Sequence, residues 1–124
     1  PVIELVHSCD NRFNDVFVRV SEVDAEGGST NVSEGFVRMT ADSGPHSETV
    51  RLELDAVAHR FPAGSRIRLM VAGGSHPRFV RNLGTDEPPV SGTTMTTATH
   101  TIHHGAGGLS RLLLPAGPQP PSAD

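Results

Sequence analysis

A serine and a histidine, the residues most often used for nucleophilic catalysis, stand side by side in the segment Gly74-Ser75-His76-Pro77. A serine hydrolase of the α/β type needs the motif Gly-x-Ser-x-Gly at a strand-to-helix turn, where the hydroxyl is exposed beside its oxyanion hole. That motif is absent from the sequence. A chance adjacency in a loop explains the pair better, and we predict no catalytic residue in this chain.

The seven histidines suggest a metal site as the next possibility, with His100, His103 and His104 clustered near the carboxyl end. On a straight strand His100 and His104 would share one face about 13 Å apart, with His103 on the opposite face. Metal–nitrogen bonds of about 2 Å require imidazole nitrogens that converge. We therefore predict no metal site and no cofactor.

Two predicted loops combine arginine with aromatic, histidine or asparagine side chains, which is the composition of interface anchors. The candidate interface or cleft-lining residues are His59, Arg60, His76, Arg78, Phe79, Arg81 and Asn82. A purely structural interpretation is equally compatible with the sequence. In that interpretation Phe61 and Phe79 plug an open end of the domain, and the arginines cap turn carbonyls.

Short strands are the elements that must position these loops. Apolar and mostly polar residues alternate in segments 16–20, 50–54 and 67–71, as in half-buried strands. Further candidate strands cover residues 2–6, 32–40, 94–104 and 110–114. The 13 glycines and 10 prolines favour many short elements over long helices. About seven strands predict an all-β fold, an antiparallel two-sheet β-sandwich, with a small barrel as the alternative.

Turn signals divide these strands. Residues 24–29 predict a hairpin between the second and third strands, residues 42–45 a turn into the fourth, and residues 61–65 a break before the fifth. The loop at 73–92 is longer than joining two strands requires, which is typical of functional loops. We expect one sandwich domain over residues 1–115 and a Pro-rich disordered tail over 116–124.

Composition excludes several partners. The net charge of -4 and the 4% aromatic content do not suit nucleic-acid binding. No apolar run is long enough to span a membrane. A single cysteine excludes an internal disulfide framework, and with no visible secretory signal the cytoplasm is the default location.

Four ordered blocks of the sequence resemble the C-terminal domain of the CocE/NonD hydrolases, the family of cocaine esterase, X-prolyl dipeptidyl-peptidases and α-amino-acid ester hydrolases. The blocks are DVFVRVSEVD at 15–24, GSTNVSEGFVR at 28–38, AHRFPAGSRIRL at 58–69 and SHPRFVRNLGT at 75–85. The segments TIHH at 101–104 and SRLLLP at 110–115 resemble its closing strands.

The resemblance implies a jelly-roll sandwich of the galactose-binding-like type. In such enzymes this domain packs on a separate α/β-hydrolase domain that carries the catalytic serine, aspartate and histidine. It helps to wall the active-site cleft and often supports homo-oligomer contacts. The hydrolase domain is not in this sequence, and the family's domain usually begins a strand or more before Pro1. The chain is therefore expected to be the C-terminal domain of a larger hydrolase without its first strand, either as a fragment or as a chain that has lost its partner region.

The function expected from this resemblance is that of a non-catalytic sandwich domain in a serine hydrolase. The parent enzyme would cleave an ester or an X-Pro dipeptidyl amide through an acyl-enzyme. An alternative is a carbohydrate- or ligand-binding module, against which the absence of Trp and Tyr counts. A third hypothesis, a free-standing metal enzyme, is disfavoured by the strand geometry of the histidines.

Overall fold

Seven antiparallel strands form two sheets in the computed structural model, which describes residues 1–40, 47–106 and 108–118. The strands are β1 (Val2–Cys9), β2 (Asp15–Val23), β3 (Ser29–Arg38), β4 (Ser47–Glu53), β5 (Arg66–Ala72), β6 (His100–His103) and β7 (Arg111–Leu113). Within these ranges there is no helix, and so none that could cross a membrane. The predicted all-β sandwich is confirmed.

The first sheet is built around β1. Strand β4 pairs along one side of β1, whereas β6 and β7 share the other side, opposite Val6–Cys9 and Val2–Glu4 respectively. Because successive side chains of a strand point to opposite faces, Ile3, Leu5 and His7 all point inward and are buried.

The second sheet has the order β3-β2-β5, with β2 in the centre. The predicted hairpin between β2 and β3 is present. Its turn is held by Asp24, whose carboxylate accepts hydrogen bonds from the backbone N–H groups of Glu26 (3.0 Å) and Gly28 (2.6 Å). This is the local side-chain bonding that suits aspartate to turns. Gly27 has a φ of 91°, which glycine adopts without strain.

The core lies between β1 and β2. Val16, Val18 and Val20 point from β2 towards Ile3 and Leu5 of β1, and each of the five is at most 1% exposed. Full burial of such an aliphatic side chain is worth about 1.5–3 kcal/mol. The sandwich is therefore held mainly by two alternating strands packed face to face.

The strand predicted at 94–104 is wrong over most of its length, since only His100–His103 are in a strand. The backbone N–H groups of Thr93 and Thr94 donate instead to the Glu87 carboxylate at 2.7 and 3.0 Å. The N–H of Thr96 donates to the Leu83 carbonyl at 2.8 Å. These bonds within residues 73–99 satisfy the backbone without a ladder, so the β-propensity of threonine is overridden.

The predicted turn at 61–65 is confirmed by a hydrogen bond from the Ser65 N–H to the Pro62 carbonyl (3.1 Å). The turn predicted at 42–45 lies outside the described residues, as do residues 119–124 of the expected tail.

Candidate functional site

The outer face of the second sheet, which points away from the core, carries three pairs of directly opposed side chains. They are Asp15 with Arg38, Phe17 with Phe36, and Arg19 with Glu34. The apolar pair thus lies between two ion pairs on neighbouring strands, an arrangement in which each pair stabilises the sheet. In an uncovered sheet this face would be exposed to water, yet Phe17 is 1% exposed.

The cover is the segment of residues 73–99, called here the 73–99 loop. The Phe79 ring stacks on Phe36 with the ring centres 4.0 Å apart and the planes 5° from parallel. It also lies 6.4 Å from the Phe17 ring centre. Arg78 forms an ion pair with Glu34. The loop therefore follows the pairs on the sheet, with an aromatic residue over the aromatic pair and a cation beside the acid.

Asp15 is the buried centre of the polar end of this face, with 2% exposure. Its carboxylate accepts two hydrogen bonds from the Arg38 guanidinium at 2.8 Å and one from the Asn82 amide at 2.9 Å. Arg38 also donates to the Val80 carbonyl. The hydrogen bonds to Asp15 raise the pKa of Arg38 against the opposing effect of burial. One carboxylate thus links β2, β3 and the 73–99 loop.

Gly84 sets the path of the loop beyond Asn82. Its N–H donates to the Asn82 side-chain oxygen at 3.0 Å, and its carbonyl accepts a hydrogen bond from Asn11 at 2.9 Å. Its φ is 73°, and an added Cβ would lie 2.1 Å from the Thr96 carbonyl oxygen. Only glycine can occupy this position without shifting the backbone.

The outward side of the 73–99 loop presents other residues. His76 and Arg81 are exposed, and the Arg81 guanidinium lies 4.0 Å from the Met95 sulfur. Val80, Val90 and Met95 are exposed apolar side chains, Val90 to 90%. The 73–99 loop therefore has an inner side that contacts the sheet and an outer side whose side chains are exposed.

His59 and Arg60 lie apart from this surface, at one end of the sandwich. They line a cavity of about 760 Å³ together with Phe61 and residues 114–118. His59 contacts Glu22 at 2.6 Å and meets the Phe61 ring edge-on, with the ring centres 4.7 Å apart. The predicted site residues thus divide into two groups. Arg78 of the first group also lies 3.8 Å from Asp55, which precedes His59 by four residues in the sequence.

A pair of histidines that the sequence did not predict, His7 and His100, links the neighbouring strands β1 and β6. The Nε2 atom of His7 lies 2.9 Å from Nδ1 of His100, close enough for one imidazole to donate to the other. Burial lowers the pKa of both rings, and the proximity of His100 lowers the pKa of His7 further. Nearby Asp10 and Asp15 act in the opposite direction on the pKa of His100. Among the described residues no three His, Cys, Asp or Glu side chains are placed to hold a metal ion.

The histidine pair makes stability depend on pH. Because the folded-state pKa values lie below the unfolded value of about 6.5, the unfolded chain takes up protons first as the pH falls. The free energy of unfolding should therefore be highest above about pH 6.5, and it should decrease as the pH falls below that value. Urea unfolding at pH 7.5, 6.5 and 5.5 measures this slope. We expect a shallower slope for His100→Gln, whereas His76→Gln, at an exposed histidine, should leave it unchanged; equal slopes in all three proteins would contradict this assignment.

Residues 1–113 match a family model, that of the X-Pro dipeptidyl-peptidase C-terminal non-catalytic domain. No curated protein and no solved structure matches the chain. Since the family match extends over most of the sequence, the chain belongs to this family of non-catalytic domains.

Proposed function

We propose that this X-Pro dipeptidyl-peptidase C-terminal domain packs on the α/β-hydrolase domain of a CocE/NonD-type serine hydrolase and shapes its active-site cleft. The family's non-catalytic character implies a catalytic domain elsewhere in the parent enzyme. The reaction we assign to that enzyme is hydrolysis of an ester or an X-Pro dipeptidyl amide through an acyl-enzyme. The four blocks that resemble the CocE/NonD family support this assignment, and the two-sheet arrangement is compatible with a galactose-binding-like jelly roll.

The observation that carries the proposal is the two-sidedness of the 73–99 loop. Arg78, Phe79 and Asn82 fix its inner side to the sheet. A surface fixed in this way loses little further conformational entropy when a partner binds, so its outward contacts translate more fully into affinity. Arginine and methionine are among the residues enriched at such interfaces. We therefore place the docking surface on the outward side of the loop, at Arg81 and Met95.

We also propose that His59 and Arg60 lie at the rim of the active-site cleft. Arg78 lies 3.8 Å from Asp55, four residues before His59 in the sequence, and we place both groups within reach of one partner domain. The alternative of a sugar-binding module is less well supported. The end cavity has mainly apolar walls, and the chain has no Trp or Tyr to stack on a sugar ring.

Truncating the docking surface should weaken the enzyme without weakening the domain. In the enzyme that carries this domain, we expect Arg81→Ala and Met95→Ala each to raise KM for an X-Pro anilide by about fivefold, which corresponds to roughly 1 kcal/mol, because a more loosely docked domain shapes the cleft less well. The melting temperature of the 124-residue chain should stay unchanged. Steady-state kinetics and thermal unfolding provide the two measurements.

Arg51→Ala is the matched control, because Arg51 is an exposed arginine on the first sheet, paired with Glu4. Its kinetics should equal those of the unsubstituted enzyme. If Arg81→Ala and Met95→Ala destabilise the isolated chain and leave KM unchanged, the loop is structural and the docking proposal is wrong.

A further inference from the structure

The two edge strands of the second sheet, β3 and β5, differ in how their outer edges are protected from pairing with another chain. Strand β3 has a bulge opposite Val20 and Ser21, and its outer edge is bonded to the segment after β4. There the Asp55 N–H donates to the Glu34 carbonyl at 2.8 Å, and the Ser33 hydroxyl donates to the Asp55 carbonyl at 2.6 Å. Bulges and covering segments are the usual means by which proteins prevent a sheet edge from pairing with another chain.

Strand β5 has neither form of protection. It pairs with β2 along all of Arg66–Ala72 without a register shift. Within residues 1–40, 47–106 and 108–118, no strand pairs with its second edge, and no turn or loop bonds to its backbone. It contains no proline, and its charged residues are Arg66 and Arg68. A regular seven-residue edge of this kind is a template for an added strand.

The side chains of β5 make this edge apolar on one face. Ile67 and Leu69 share the inward face with Val20, yet they are 49% and 37% exposed. Exposed apolar residues on an unpaired strand are costly in water and gain from a neighbour that covers them. Arg66 and Arg68 lie on the opposite face of the strand.

We propose that β5 pairs with β5 of a second copy of this chain, antiparallel and centred on Leu69, to form a symmetric dimer with a continuous six-stranded sheet. In this register Leu69 lies opposite Leu69 of the second copy and Ile67 lies opposite its Val71. Opposed residues have Cβ atoms about 4.5–5.5 Å apart, so these side chains form one apolar stripe.

The positions of the arginines favour this register over the neighbouring ones. It places Arg68 opposite Met70 and Arg66 opposite Ala72 of the second copy, so no two arginines face each other. Moving the centre to residue 68 would place Arg68 opposite Arg68, which destabilises a strand pair. Moving it to residue 70 would leave Arg66 and Ile67 beyond the paired strand. A two-fold interface of this kind closes on itself, because both copies contribute the same edge.

Sedimentation velocity of the 124-residue chain from 1 to 300 μM tests the proposal. We expect a monomer–dimer equilibrium that Leu69→Lys abolishes, because two ammonium groups then meet at the dimer axis. Val90→Lys, the same kind of change at an exposed apolar residue of the 73–99 loop, should retain the dimer. Circular dichroism establishes that each variant is folded.

A pair of substitutions at Met70 tests the register through the sign of the charge. Met70→Lys places a cation opposite Arg68 of the second copy, whereas Met70→Glu places an anion there. With two symmetric contacts per dimer, we expect the dissociation constant of the Lys variant to exceed that of the Glu variant by about fivefold or more. A monomer at 300 μM, a dimer insensitive to Leu69→Lys, or equal dissociation constants for the two Met70 variants would each overturn the proposal.

Discussion

Replacement of Asp15 by alanine should destabilise the domain by about 3 kcal/mol, because removing one partner of a buried ion pair leaves the other charge uncompensated. Asp15 is 2% exposed, whereas the side chain of its partner Arg38 is 25% exposed. The partial exposure of Arg38 keeps the expected cost at the lower end of the range for buried pairs. Asn82 would lose its acceptor in the same step. Urea unfolding of the 124-residue chain at pH 7.5 measures the change.

Glu4→Ala is the control for the Asp15 prediction. Glu4 is also a carboxylate between two arginines, Arg111 and Arg51, which lower its pKa, but both arginine side chains are more than half exposed. Water can solvate these cations once the carboxylate is gone, so the loss should be clearly smaller. Equal losses for Asp15→Ala and Glu4→Ala would show that burial on the outer face of the second sheet adds nothing to the strength of the pair.

Most of the sandwich could be predicted from the period-two alternation of apolar residues. That pattern depends only on local geometry, so it identified β2, β4 and β5 directly. It failed for residues 94–99, where the threonines have β-propensity but no alternating apolar face. There the carboxylate of Glu87 and the carbonyl of Leu83 bind the backbone instead.

The sequence predicted the loop residues of the candidate site but not the residues of the sheet that they contact. Composition identified Arg78, Phe79 and Asn82 as residues that make strong contacts, but not their partners. Phe36 and Asp15 lie far from them in sequence and belong to a face that alternation alone predicts to be polar and solvated. Which strand face a long loop covers depends on tertiary packing, and no local pattern encodes it.

Phe61 and Phe79, which the structural interpretation of the sequence treats together as plugs of an open end, lie in different places in the structure. Phe61 packs against the core cluster near one end of the sandwich, as a plug would. Phe79 instead lies on the outer face of the second sheet, stacked on Phe36. Anchoring of this ring is compatible with a docking role for the loop, because the ring fixes the backbone from which Arg81 points outward.

Phe79→Ala should destabilise the domain by about 3 kcal/mol, near the lower end for a buried phenylalanine because the ring is half-buried. The loss has two sources. The Phe79–Phe36 stack disappears, and Phe17 beneath it becomes exposed to water. The loop should then separate from the sheet, so trypsin should cleave after Arg81 faster than in the unsubstituted chain. Urea unfolding and timed trypsin digestion measure the two effects.

Two further variants show whether the ring itself is responsible. Phe79→Leu keeps apolar volume over Phe36 but loses the stacking, so it should recover most of the stability and much of the resistance to trypsin. Val80→Ala, next to Phe79 but exposed, should change the unfolding free energy by no more than about 0.5 kcal/mol. A loss below about 1 kcal/mol in Phe79→Ala, with an unchanged rate of cleavage, would mean that Arg78 and Asn82 hold the loop without the aromatic stack.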